Sequence, residues 1–126
     1  MSIYGIGSDI IDISRIKKAL KSKNFQKRFF SKNEIKAAEN KSNKIASYAK
    51  RFAAKEAFSK ALGTGISGGI SFKDISIQNN KKGKPDIELL GKTKTIVQKI
   101  IEKKYKIFLT ISDEQKYALA MVVITY

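Results

Sequence analysis

With 126 residues, 26 basic and 11 acidic, the chain carries a formal charge of +15, and it contains neither His nor Cys. Lack of Cys removes disulfides and thiolate ligands; lack of His removes an imidazole base, a His-bound zinc site and any Ser–His or Cys–His pair. Any metal must therefore be held by oxygen, which selects Mg²⁺, Ca²⁺ or Mn²⁺.

The length suits a single domain, 1–126, with a real core, and 42% hydrophobic content argues against disorder. No apolar run approaches the ~20 residues that span a bilayer, and Met-Ser-Ile-Tyr-Gly lacks the layout of a secretory signal. A cytoplasmic protein with no membrane partner is predicted. The charge favours an anionic partner. Its excess is nearly all Lys, with Arg only at 15, 28 and 51, so a general compositional bias explains it equally well.

In chain order, Ile3–Ile6 reads as a strand continuing toward Ile10 and Ile11. A helix is expected from about Ser14 to Lys21, with Asp12 as its cap. Ser31-Lys-Asn-Glu34 has capping-box spacing and opens a helix through Glu39. The strongest helix runs from about Asn43 to Leu62: Ile45, Tyr48, Ala49, Phe52, Ala53, Glu56 and Ala57 form one stripe, and Gly63 supplies a left-handed stop. Gly65, Gly68 and Gly69 mark a connection. Strands follow at Ser71–Gln78 and Asp86–Leu90 around a turn, then a basic helix at about Thr93–Lys104. A closing hairpin pairs Lys106–Ser112 with Tyr117–Tyr126. Helices and strands mix without β-α-β alternation, which predicts an α+β fold with an antiparallel sheet packed on a long central helix. The last strand is too continuously apolar for a fully solvated face, so it is expected to meet another subunit.

Two acids stand where acids are costly. Asp9 ends an apolar run, and Asp12 already serves as the helix cap. Glu56 lies on the apolar stripe. A Glu56–Lys60 pair at i, i+4 contributes only ~0.2–0.5 kcal/mol, too little to place Glu there. A shared divalent cation accounts for both carboxylates better. Arg51, Lys55 and Lys60 are read as phosphate clamps near Glu56, and Lys50 as part of a solvated basic face. Gly5-Ile-Gly7 permits close backbone approach but lacks the rest of a dinucleotide fingerprint, and Gly63-Thr-Gly65 is not a phosphate loop.

Tyr4-Gly-Ile-Gly-Ser-Asp9 and Arg51-Phe-Ala-Ala-Lys-Glu-Ala-Phe-Ser-Lys60-Ala-Leu-Gly-Thr-Gly65 resemble the two signatures of the holo-[acyl-carrier-protein] synthases, small phosphopantetheinyl transferases. Phe30-Ser-Lys-Asn-Glu34, Asn80–Pro85 with its Gly-Lys-Pro, and the closing hairpin fit in order, so the resemblance covers almost the whole chain. It implies transfer of 4′-phosphopantetheine from coenzyme A to a serine of acyl carrier protein in fatty-acid synthesis. Asp9 and Glu56 would hold Mg²⁺, Lys60 would stabilise the diphosphate, and Glu56 would take the serine proton. Coenzyme A would contact Arg51, Lys55, Lys60, Gly63, Thr64, Gly65, Lys84 and Pro85. A homotrimer with active sites at subunit interfaces is implied, with the carrier protein docking on Arg15, Lys18 and Lys21. The family commonly has His where this chain has Asp113, so Asp113 is not expected to bind the 3′-phosphate, and Lys or Arg should do so instead. The alternatives are a small basic RNA-binding or ribosome-associated protein, supported by charge alone, or a catalytically silent trimer.

Overall fold

The computed structural model describes residues Met1–Tyr126. Strand β1 runs Ile3–Asp12 as one element. Helix α1, Ile13–Ala19, starts on Asp12, whose Oδ1 accepts the Ser14 backbone N–H at 2.9 Å as the sequence predicts. Helix α2, Lys23–Phe29, has no counterpart in the expectations. It is too short to persist alone, and aromatic packing holds it: Phe25 lies 6.1 Å from Phe52, and Phe29 lies 5.2 Å from Phe72. Helix α3, Lys32–Glu39, opens on the capping box formed by Ser31 and Glu34.

Helix α4, Lys44–Leu62, is the centre of the molecule and ends on Gly63 at φ 89°, a left-handed conformation that suits glycine. The expected strand from Ser71 instead begins with a 3-10 turn at Phe72–Asp74, and β2 is confined to Ile75–Asn79. The turn points the Phe72 and Ile75 carbonyls at the Lys55 ammonium, a demand that an extended chain does not meet. Strand β3, Pro85–Leu89, pairs antiparallel with β2. Helix α5 covers Gly91–Ile101, shorter at its end than predicted because Glu102 turns left-handed at φ 62°. Strands β4, Lys106–Asp113, and β5, Tyr117–Thr125, close the chain.

The main sheet has the order β1-β5-β4, all antiparallel, while β2 and β3 form a separate ribbon. The fold is α+β, with the sheet packed on the long helix as predicted. Alternation divides the sheet into two faces. Ala118, Ala120, Val122 and Ile124 of β5 point inward and are buried against α4. Ile6, Ile10, Phe108, Leu119 and Met121 point outward and remain substantially exposed.

Candidate active site

The site begins with how closely β1 approaches α4. A Cβ at Gly5 would lie 1.9 Å from the Ala61 carbonyl oxygen, and one at Gly7 would lie 2.1 Å from that of Ala57. Opposite them α4 presents Ala53, Ala54, Ala57 and Ala61, all buried. Small residues on both sides thus let the strand backbone rest on the helix backbone. Asp9 follows Gly5 and Gly7 on the same face of β1, so its carboxylate is carried to α4, where Glu56 stands.

Both acids are half-buried, and their electrostatics reflect it. Burial raises the Glu56 pKa above the usual carboxylate range, and the neighbouring Asp9 charge raises it further. Burial also raises Asp9, against the pull of Lys60 and Arg15. Lys60 Nζ donates to Asp9 Oδ1 at 3.3 Å and to the Ser8 carbonyl at 3.0 Å. The i, i+4 spacing offers Lys60 a pair with Glu56, but in the structure its hydrogen bond goes to Asp9. No third acid, His or Cys joins the pair. Two carboxylates short of a full cage are a donor set that suits a hard divalent cation finishing its shell with water or phosphate oxygens.

Two expected phosphate clamps lie elsewhere. Lys55 is fully buried, with Nζ 2.6 Å from Glu34 Oε1, 2.8 Å from the Phe72 carbonyl and 2.6 Å from the Ile75 carbonyl. Its three protons are all used inside the core, so it cannot reach a phosphate. Arg51 is turned about 140° around α4 from Glu56. It lines a cleft of about 380 Å³ that contains none of Asp9, Glu56 and Lys60. There Nη1 bonds to the Ser47 hydroxyl and carbonyl, while Nε is buried without a partner.

Pro85 lines the same cleft, whereas Lys84 lies with Phe108 and Met121 on the outer side of the sheet. Gly63, Thr64 and Gly65 form an exposed turn directly after the helix that carries Lys60, with Gly65 at φ 62°. Arg15 and Lys18 are exposed on α1 and Lys21 just beyond it. Lys50, read as a solvated face, is half-exposed and pairs with Asp113 at 3.8 Å.

Sequence reasoning credited Glu34 with capping alone. Its Oε1 does accept the Ser31 N–H, but Oε2 also accepts the Ile77 N–H, and Lys55 completes the group. The signal that could have exposed this is a Lys on the buried side of a helix, which demands a buried acid.

A family model described as the 4'-phosphopantetheinyl transferase superfamily matches residues 5–122. The chain belongs to that family. A transferase of this family from Pelagibacter ubique (strain HTCC1062), a holo-[acyl-carrier-protein] synthase, is 50% identical over 98% of both chains. The Neisseria meningitidis holo-[acyl-carrier-protein] synthase superposes with a TM-score of 0.88 at 36% identity, covering 98% of this chain and 99% of that one. The Bacillus anthracis str. Ames synthase, solved in complex with CoA (3',5'-ADP), gives 0.80 at 37% identity over 98% and 97%. These comparisons give the RNA-binding alternative no support.

Proposed function

We propose that this chain, acting as one domain of residues 1–126, transfers 4′-phosphopantetheine from coenzyme A to a serine of an apo acyl carrier protein. The observation that carries this reading is the meeting of Asp9, Glu56 and Lys60 across the β1–α4 contact, in a chain half identical to a holo-[acyl-carrier-protein] synthase. The serine oxygen bonds to the β-phosphorus, and the bond from that phosphorus to the bridging oxygen breaks. Adenosine 3′,5′-bisphosphate leaves with that oxygen.

Asp9 and Glu56 would hold Mg²⁺, which when bound neutralises diphosphate charge and acts as a Lewis acid. With no His in the chain, the Glu56 carboxylate takes the serine proton. Lys60 sits one turn from Glu56 and stabilises charge on the departing oxygen. The Arg51 cleft and the Gly63–Gly65 turn contribute to coenzyme A binding, as do Lys84 and Pro85. Arg15, Lys18 and Lys21 present a basic surface to an acidic carrier, where long-range attraction speeds encounter more than it tightens binding.

A homotrimer with active sites at its subunit boundaries is the assembly the family resemblance implies, and the exposed apolar face of the sheet offers a surface for subunit contact. No helix is long and apolar enough to cross a membrane, and a cytoplasmic location fits the proposed substrates. The test is mass spectrometry of apo carrier protein incubated with coenzyme A, Mg²⁺ and this protein. Wild type should add one phosphopantetheine, and Glu56→Gln should add none while keeping its oligomeric state. A fully active Glu56→Gln removes Glu56 from the mechanism, and an unmodified carrier with wild type refutes the reading.

A further inference from the structure

A second groove opens where the end of α2, the 3-10 turn at Phe72–Asp74 and the segment before that turn meet. Its lining includes none of Asp9, Glu56 and Lys60 and shares no residue with the Arg51 cleft. Its volume is about 580 Å³, within the range of small-molecule sites. The floor is apolar. Phe29 and Phe72 stand 5.2 Å apart, both rings pack on Phe52, and Ile66 and Ile70 extend the same surface. Ile70 and Phe72 are buried, whereas Ile66 is 41% exposed and reaches the opening.

The polar part of the groove has one sign of charge. Lys27, Arg28 and Lys73 line it, and no acid does. The ion pairs of the chain use other residues, so all three cations are without an acidic partner. Arg28 lies 5.9 Å from the Phe29 ring centroid, which sets a guanidinium directly against the apolar floor. Uncompensated cations around an aromatic floor match a ligand with one anionic end and one hydrocarbon end. Inorganic phosphate would leave the floor wet, and an uncharged hydrocarbon would leave the cations unused. A carboxylate suits the guanidinium fork, and each methylene behind it gains by leaving water.

We propose that this groove binds a fatty-acid anion, with the carboxylate at Lys27, Arg28 and Lys73 and the chain along Phe29, Ile66, Ile70 and Phe72. Phe52 links the groove to the reaction centre, since it packs on both floor rings and stands one turn before Glu56 on α4. The inference goes beyond the transfer reaction and does not depend on it.

Isothermal titration of decanoate, kept below its micelle concentration, into wild type and two variants tests this. Butyrate keeps the carboxylate without the tail, and decyltrimethylammonium keeps the tail with the opposite charge. Decanoate should bind wild type at least about tenfold more tightly than either. Arg28→Glu with Lys73→Glu should weaken decanoate about tenfold, because charges of the wrong sign then face the carboxylate. Ile66→Ser should weaken it about threefold through lost apolar contact. All three positions are exposed, and thermal melts check that each variant is folded. Equal decanoate affinity in wild type and both variants overturns the inference, as does equal binding of decanoate and decyltrimethylammonium by wild type. Absence of decanoate binding to wild type overturns it too, and loss of apo carrier-protein affinity in the double variant would then assign the groove to the carrier. Each of these outcomes leaves the proposed transfer to stand or fall on its own assay.

Discussion

Lys55 Nζ and Glu34 Oε1 stand 2.6 Å apart with both side chains wholly excluded from water, joining α4 to the start of α3. Breaking such a pair on one side strands the other charge, which costs about 3–5 kcal/mol. Lys55→Met should therefore lower stability by about that much in urea denaturation, and adding Glu34→Gln should recover part of it. Because Lys55 faces the core, the KM for coenzyme A of folded Lys55→Met should match wild type. A KM raised tenfold would return Lys55 to the binding site.

The same lysine predicts a pH dependence. Burial lowers its pKa to about 8, against the pull of Glu34. Between that value and the ordinary 10.5, the unfolded chain holds more protons at this position than the folded one. Stability from this group therefore rises with pH across that window. Wild type should gain on Lys55→Met between pH 8 and 10 in parallel urea titrations, and parallel curves would contradict the shift.

Gly7 sets the distance between the two carboxylate-bearing elements. A methyl group there meets the Ala57 carbonyl oxygen at 2.1 Å, a backbone atom that cannot step aside. Gly7→Ala should push β1 off α4 at a cost of about 3 kcal/mol and separate Asp9 from Glu56. Transfer activity should then fall further than the folded fraction does. Gly65→Ala, in open space at the surface, should leave the β1–α4 contact intact.

What could be read in advance was what neighbouring residues decide. Asp12 before α1, Ser31 with Glu34, and Gly63 after α4 follow capping rules spanning at most a few residues, and each stands where those rules put it. The Asp9–Glu56 meeting was legible because both acids violate the apolar pattern around them. Lys55 was not, because its acceptors lie 17 to 21 residues away and become available only through the 3-10 turn at Phe72–Asp74. Helix α2 escaped for a related reason. Phe25 and Phe29 gain their partners, Phe52 and Phe72, only in the folded chain. Arg51 was expected near Glu56, but five residues along α4 turn it about 140° away, into a separate cleft.

Lys60 supplies the counter-charge beside Asp9, and a divalent ion there would do the same work. Lys60→Met should melt lower than wild type in chelator, since Asp9 and Glu56 then face each other with less compensation. Saturating Mg²⁺ should raise its melting temperature by about 3 °C more than it raises wild type's. Equal Mg²⁺ responses would show that Lys60 and the ion do not share the Asp9 charge.

The outer face of the sheet carries the last prediction. Ile10 pairs with Leu119, and Met121 stands between Ser8 and Thr110, so the exposed apolar side chains run across all three strands. Leu119 and Met121 are each 45% exposed, while Ala118 and Ala120 beside them are fully buried. Charged residues at 119 and 121 would thus leave the inner packing untouched and burden only the exposed face on which the proposed trimer would close. Under the proposed assembly, wild type should sediment as a trimer and Leu119→Lys with Met121→Glu as a monomer, with the far-ultraviolet spectrum retained. If active sites are completed across that boundary, the monomer should lose transfer activity although Asp9, Glu56 and Lys60 remain together. A variant that is monomeric and fully active would place the whole site within one chain.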